Sequence, residues 1–546
     1  MKQDLRKIGT YVQWANKAIQ KIRFHLIFGI LLGIIRVFLG LLFILQSKTM
    51  IDIASGSEDG SLWKGAYILI GIIIIELLLK IINSYLYIQA DNLMRNDLRE
   101  QLFAHLLISP LYKRGSYHSG DLTTRLEDDV RIVTSNLVGS LPSLVVTSTE
   151  LIGSFWLLMN FDSHLAWIIV ITLPLFLLIG KIISVKLRRM TKDIRNYESK
   201  IQSQIQESVQ HGSLLRSLQA EIWVKHNFGL LQHQVYKKIM KRTQFTLTSK
   251  AIISFGFTIG YFVAFLWGCF SLQKGVISFG VMTAFLQLVG KIQGPIASLS
   301  GLIPGFIHAS TSVDRLIEIE NFKTEKNSEP QKLKDVPGIR FENIKYTYPG
   351  ESNPLYQSFS YSFPPGSRTA IVGPTGTGKT TLIRLILALI EPDKGKVLIY
   401  DKNESIHVSP GTRCNISYVP QGNTLLSGTI RENLKLANPN ASEEEIKKAL
   451  HIAVADFVYE LPEGLETLCG ERGVGLSEGQ AQRIAIARGL LKPASLLLLD
   501  EISASLDKQT EELLFKRLSN ESSNKTLILI THRNSATLYC DQILQL

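Results

Sequence analysis

Ser367-Arg-Thr-Ala-Ile-Val-Gly373-Pro-Thr-Gly-Thr-Gly-Lys379-Thr-Thr-Leu-Ile-Arg-Leu-Ile-Leu-Ala-Leu-Ile390 joins a β-rich run, a glycine-rich turn and an apolar helical run in one stretch. Residues 367–372 predict a strand and 381–390 a helix, with a complete G-x-x-x-x-G-K-[ST] pattern between them. Its glycines let the backbone turn tightly so that N–H groups point at phosphate oxygens. Lys379 adds a positive charge at the same place, and the Thr380 hydroxyl suits Mg2+. The candidate phosphate-binding residues are therefore Gly373, Pro374, Thr375, Gly376, Thr377, Gly378, Lys379, Thr380 and Thr381.

Downstream, Leu496-Leu-Leu-Leu-Asp500-Glu501 reads as a buried strand that delivers two carboxylates to one edge of a sheet. One carboxylate, Asp500, can enter a Mg2+ shell, and the next, Glu501, can polarise a water for in-line attack on a γ-phosphate. Short β-rich runs at 339–341, 367–372 and 496–499 alternate with helical patterns, which predicts an α/β sheet. Upstream of it, from Glu320 to Pro337, the chain turns polar through Lys323, Thr324, Glu325 and the residues up to Pro330, a composition that cannot bury a core. The expected organisation is a first domain over 1–320, a linker over 321–337 and a nucleotide-binding domain over 338–546.

The first domain is of another kind. With 546 residues the chain exceeds the roughly 250 to 300 at which one core stops growing, and a mean hydropathy of +0.14 with 19% charged residues fits a greasy half joined to a watery one. A bilayer core about 30 Å thick needs about 20 mostly apolar helical residues to cross it. Six segments qualify, at 24–46, 64–88, 136–160, 164–186, 250–272 and 280–306, and none beyond Ile307. The basic N-terminus carries Lys2, Arg6, Lys7, Lys17, Lys21 and Arg23, and the apolar run after it lacks a signal-type cleavage site, so it is expected to stay as an anchor.

Loop charge sets the orientation. The connection 47–63 has Lys48 against Asp52, Glu58 and Asp59, whereas 186–250 holds 13 Lys and Arg against four acids. By the positive-inside rule the N-terminus, the connections 89–135 and 187–249 and the nucleotide-binding domain are cytoplasmic. This accounts for the net charge of +12 without nucleic acid as a partner. Both long connections carry apolar residues at helical spacing (Leu93, Leu98, Leu102, Leu106; Ile194, Ile201, Ile205), which predicts membrane helices continuing into the cytosol. Cys269, Cys414, Cys469 and Cys540 are widely separated and read as reduced thiols, neither a zinc site nor a disulfide framework. Arg36, Glu76, Lys80, Glu150 and Lys291 fall inside the predicted spans and need compensation; Glu76 and Lys80 are spaced to pair along one helix, and Arg36 and Lys291 are expected to face a central cavity.

Together these residues resemble the ATP-binding cassette (ABC) transporters. Leu476-Ser-Glu-Gly-Gln480 is similar to that family's L-S-G-G-Q signature, Gln421 in Val419-Pro-Gln421 to its Q-loop glutamine, and His532 in Thr531-His532-Arg533 to its switch histidine. Tyr348 in Tyr346-Thr-Tyr348-Pro matches the aromatic that stacks on adenine, and Ser505-Leu-Asp507 the D-loop. The resemblance implies an all-α six-helix transmembrane domain with long cytoplasmic extensions, followed by an α/β P-loop cassette. It makes Glu501 and His532 catalytic, Thr380, Gln421 and Asp500 the metal-holding groups, and Ser477, Gly479 and Gln480 the face that closes on ATP held by the opposite cassette. Cys469-Gly-Glu471-Arg472-Gly473 resembles a stretch that exporters carry, as does Gly120-Asp-Leu-Thr-Thr-Arg125-Leu-Glu-Asp-Asp129-Val near a first coupling helix; the second is expected at 214–221. Glu478 departs from the signature's first glycine, and the turnover rate is where that departure should tell.

The implied function is ATP-hydrolysis-driven export, with ATP and Mg2+ as cofactors, by a dimer in the bacterial inner (plasma) membrane. A homodimer is expected because both halves of the composite site stand in this one chain. The alternatives are one half of a heterodimer, and an ATP-gated regulator or channel-like protein, against which intact Glu501 and His532 argue. The substrate, whether lipid, peptide or drug, is not legible.

Overall fold

The computed structural model describes residues 2–109, 119–161, 163–325, 328–470, 475–521 and 524–546. The chain divides into two compact units: one holds most of the residues up to Asn321, and the other holds Phe322–Leu546 and, of the earlier described residues, 105–109.

The first unit is helical: α1 (Lys2–Ala18), α2 (Arg23–Ala54), α3 (Leu62–Leu107), α4 (Gly120–Phe161), α5 (Ser163–Gln210), the short α6 (Gly212–Ser217), α7 (Glu221–Gln273) and α8 (Phe279–Glu320). The 46 residues of α3 extend about 69 Å at about 1.5 Å per residue, more than twice the thickness of a bilayer core. With α5 at 48 residues and α7 at 53, the described parts of the long connections are mostly helix extensions. Leu98, Leu102 and Leu106 are buried along α3, while Leu93 is exposed.

Among the described residues four helices are long and apolar enough to cross a membrane, α2 with its preceding turn, α3, α4 and α7. They contain the predicted spans 24–46, 64–88, 136–160 and 250–272. Span 164–186 lies on α5, with most of its side chains outside the described residues. Span 280–306 lies on α8, whose apolarity is interrupted by Gln287, Lys291 and Gln293. This helix faces protein: Phe285, Leu288 and Ile292 pack with Leu41 and Ile44 of α2 and Leu157 and Leu158 of α4. The predicted connection 47–63 is shorter than expected, because α2 continues to Ala54. Asp52, read as a loop acid, is buried; it pairs with Lys48 at 3.0 Å and accepts the Gly280 N–H at 2.8 Å, so it caps α8.

α4 contains two π-helical turns, Arg125–Asp129 and Asn136–Ser140. The first turns Arg125 and Asp129 into the protein. Arg125 donates to Asp121 at 2.9 Å and to Glu318 of α8 at 2.7 Å, and Asp129 accepts the Ser312 hydroxyl at 2.7 Å. Between α6 and α7 the chain bends at Gln219, with φ of 51°, and leaves Leu214, Leu218, Ile222 and Trp223 exposed.

The second unit has β1 (Gly338–Tyr346), β2 (Tyr356–Phe363), β3 (Arg368–Val372), β4 (Lys394–Tyr400), β5 (Ser405–His407), β6 (Ile416–Val419), β7 (Gly428–Thr429), β8 (Leu468–Cys469), β9 (Leu496–Asp500), β10 (Thr526–Ile530) and β11 (Gln542–Gln545). An antiparallel sheet runs β2-β1-β4-β5, a parallel one β11-β3-β10-β9-β6, and β7 pairs with β8. All five residues of β9 and of β10 are buried, as central parallel strands require. Its helices are α9 (Lys379–Ile386), α10 (Ile430–Lys435), α11 (Glu443–Ile452), α12 (Glu478–Leu491), α13 (Lys508–Glu521) and α14 (Asn534–Thr537). The predicted helix 381–390 ends early because Ala388 takes φ of 48° and the Arg413 guanidinium binds the carbonyls of Leu387 and Ala388.

Candidate functional site

Strands β3, β9 and β10 are parallel neighbours, so their carboxyl ends share one edge of the sheet, where ligands of such sheets bind. Val372 leads there into the phosphate loop, Asp500 into Glu501, and Ile530 into Thr531 and His532. The resemblance implied that these three segments share one site, and the parallel pairing of β3, β10 and β9 puts them on one sheet edge.

The loop wraps its own lysine. Lys379 is buried and donates to the carbonyls of Gly373 at 2.7 Å and Pro374 at 2.9 Å, while Thr377 Oγ1 donates to Pro374 O at 3.0 Å. Gly378 has φ of 101°, and a Cβ on it would stand 2.4 Å from the Tyr356 hydroxyl, which donates to the Gly378 carbonyl. Only glycine fits there. The loop ends on the N-terminus of α9, whose free N–H groups favour an anion. Tyr348 lies beside it, its hydroxyl hydrogen-bonded with Thr381 at 2.8 Å and accepting from Arg384 at 3.2 Å.

Asp500 is buried at the end of β9. Burial, with the neighbouring Glu501 charge, pushes its carboxyl up to about 6. Its described hydrogen bond, from the Tyr418 hydroxyl, is long at 3.4 Å. Glu501 takes φ of 48°, rare for a side chain of its size, and its N–H is held by the Ile530 carbonyl at 3.0 Å. Its carboxylate is gripped from both sides: Gln421 Nε2 donates to one oxygen at 2.8 Å, and His532 Nε2 lies 2.9 Å from the other. A carboxylate held in this way can orient and polarise one water.

The signature stands apart. Ser477 caps α12 by accepting from the Gln480 N–H, and Gln480 Oε1 accepts the Ser477 N–H, a reciprocal capping box. Among the described residues no hydrogen bond joins Ser477, Gly479 or Gln480 to the phosphate loop of the same chain. Glu478 and Ser477 are exposed at this helix start. A Cβ on Gly479 would come 2.9 Å from the Ser505 carbonyl, so Gly479 lets the signature lie against the D-loop. Gly479→Ala must displace that backbone, and we expect ATP hydrolysis to fall about ten-fold or more with ATP binding to the phosphate loop retained, as read by nucleotide titration beside a phosphate-release assay. Of the exporter-like stretch, residues 471–473 lie outside the described residues.

A clamp escaped the sequence reading. Glu511, buried on α13, binds Arg533 at 2.7 Å and Ser535 at 3.2 Å, and Arg533 donates onward to the D-loop carbonyls of Leu506 and Ala504. The signal was present: Glu511 lies on the apolar stripe of Leu514, Phe515 and Leu518, where an acid needs a partner.

Residues 26–296 match the family model for the ABC transporter transmembrane region, and 356–504 match that for the ABC transporter. A probable multidrug resistance ABC transporter ATP-binding/permease protein of Bacillus subtilis (strain 168) is 30% identical over 468 residues, covering 83% of this chain and 78% of its own. An alpha-hemolysin translocation ATP-binding protein of Escherichia coli O157:H7 is 29% identical over 486 residues, 87% of this chain and 67% of its own.

Proposed function

The chain belongs to the ABC transporters, the premise from which we propose that two copies form a homodimer in which each phosphate loop holds MgATP against the signature of its partner. It is an exporter-type half-transporter, an integral membrane protein that binds ATP and couples its hydrolysis to export. The observation that carries the residue-level reading is the grip of Gln421 and His532 on Glu501, at the sheet edge that also holds the phosphate loop.

In this reading Lys379 releases the carbonyls of Gly373 and Pro374 and turns to the phosphates. Mg2+ fits the buried and poorly compensated Asp500, with Thr380 and Gln421 as further donors. Among the described residues no cluster of three His, Cys, Asp or Glu side chains could hold a cation, so a bound Mg2+ would need ligands besides these side chains. Held there, Mg2+ would supply positive charge against the negative charge that develops on the phosphates. Glu501 orients and polarises the attacking water, and His532 holds Glu501 and the γ-phosphate side of the site. Tyr348 offers its ring to adenine. The signature residues Ser477, Gly479 and Gln480 serve the ATP of the other copy, which agrees with the lack, among the described residues, of a hydrogen bond from them to the loop of their own chain.

We place the domain limits at 320 and 338; the end of α8 at Glu320 and the start of β1 at Gly338 support this placement, while the main part of the compact second unit begins at Phe322. The N-terminus and cassette lie in the cytoplasm of a bacterium, with the helices in the inner membrane; the basic 186–250 connection supports this orientation. Exposed Leu214, Leu218, Ile222 and Trp223 support the turn at 214–221 as a coupling element.

Two measurements test the reading. Sealed inverted vesicles carrying only this chain should accumulate a labelled solute with ATP and not with a non-hydrolysable analogue; equal accumulation with both would end the export assignment. The purified chain alone should hydrolyse ATP, with specific activity falling on dilution as the dimer separates. Hydrolysis that begins only after a second, different chain is added would replace the homodimer by a heterodimer.

A further inference from the structure

The charges inside the membrane helices are compensated unequally. Lys291 pairs with Glu150 at 3.0 Å, and Arg36 stands 3.9 Å from Glu76, so Glu76 is not spent on Lys80 one turn along α3. Lys80 has no ion pair among the described residues. It lines a cleft of about 360 Å³ between α2, α3 and α4, together with His25 and Arg36. Among the described residues no carboxylate lines this cleft, and Asn83, Ser84 and Thr147 add polar groups. His25 Nδ1 and Arg36 Nε are shielded from solvent and have no hydrogen-bond partner among the described residues. An uncompensated cation at membrane depth costs at least about 2.5 to 3.5 kcal/mol on insertion scales, so an anion that enters here gains what the protein leaves unsupplied.

The rest of the cleft is hydrocarbon. Leu26, Leu86, Val138 and Val146 form its walls. At Gly33 a Cβ would overlap Val146 at 2.4 Å, so α2 and α4 are packed as closely as backbone allows and close the cleft on that side. Basic donors beside apolar walls, within a bundle that meets lipid, suit a molecule with an anionic head and an alkyl chain, and exclude a cationic one.

We infer that the cleft between α2, α3 and α4 binds an amphiphile with an anionic head, a phosphate or a carboxylate, its head against Lys80, Arg36 and His25 and its chain along Leu26 and Val146. The molecule enters from the bilayer. On the orientation proposed above the cleft lies in the cytoplasmic half of the membrane, on the side from which an exporter takes its cargo. As a statement about cargo it rests on the export reading.

The test uses the full chain in dodecyl maltoside micelles and radiolabelled dodecyl phosphate as the probe. Saturable binding is expected, displaced neither by dodecyltrimethylammonium nor by inorganic phosphate at the same concentration. Lys80→Gln should weaken binding about ten-fold or more, the scale of a charge-assisted contact, and Lys80→Arg should restore it. Ser143→Trp, which fills the cleft without changing its charge, should exclude the probe. Displacement by phosphatidylglycerol assigns a bilayer lipid as the natural occupant, and its failure a single-chain amphiphile; both support the site. Equal displacement by the cationic amphiphile or by inorganic phosphate, or parental binding by both Lys80→Gln and Ser143→Trp, overturns it. ATP hydrolysis by the unaltered chain in the same micelles reports on the export reading separately: hydrolysis without probe binding removes the cleft alone.

Discussion

Glu501→Gln is expected to hydrolyse ATP at least about one hundred times more slowly than the parent while binding MgATP at least as well, the scale expected for a positioned base. The geometry explains why binding survives. A glutamine amide keeps both contacts: its oxygen accepts from Gln421 Nε2, and its NH2 donates to His532 Nε2 in the tautomer that leaves this nitrogen free. The φ of 48° is unchanged, since the side chain is no bulkier. Removing the neighbouring charge also favours the ionised form of Asp500, one of the two influences that raise it, and so favours the cation. Bound ATP then persists, and the variant should elute as an ATP-closed dimer in size-exclusion chromatography. His532→Ala should slow turnover without abolishing ATP binding. A Glu501→Gln protein that turned over at the parental rate, or lost MgATP, would shift the base to another acid, with Asp507 the first to examine.

Lys379→Ala should fail one step earlier. The ammonium is buried within the loop and braces the carbonyls of Gly373 and Pro374, and on the proposed reading it is held beside the phosphates. Its loss removes a charge-assisted contact and the brace together, and MgATP affinity is expected to fall by about one hundred-fold. Nucleotide protection against thermal unfolding reads this directly: ATP at one hundred times the parental Kd stabilises the parent by about 2.7 kcal/mol and should stabilise the variant by only about 0.4 kcal/mol. Hydrolysis and export vanish with binding. Protection equal to the parent's would show that Lys379 does not hold the phosphates.

What could be read in the sequence followed from periodicity and local chemistry. Loop 373–380 announces itself because a tight anion cradle needs glycines at fixed spacing, and Leu496 to Asp500 because a central parallel strand must be apolar on both faces. Contacts that depend on non-local packing were not legible. Glu501's partners lie about 80 positions upstream and 31 downstream, at Gln421 and His532, and nothing local to Glu501 names them. Asp52 looked like a loop acid because a cap for α8 can be recognised only once α2 and α8 are neighbours. The Glu76 and Lys80 spacing permitted a pair along α3, yet Arg36 from α2 takes Glu76 instead. Spacing along one helix fixes which residues could meet, and packing between helices decides which do.

The two π turns of α4 give that helix a property a uniform helix lacks. Each turn carries one residue more than the α spiral needs, and one residue corresponds to about 100° of rotation about the axis. The helix therefore behaves as a shaft with two phase adjusters. Leu157 and Leu158 stay seated in the bundle at one end while Arg125 and Asp129 are dialled toward α8 at the other. If a π turn migrates by a residue, the bulge passes along the chain and the segment it crosses turns with it, without the helix ever breaking. The Arg125 end of α4 can thus change which side chains it presents to Glu318 and Ser312 while its Leu157 end holds still.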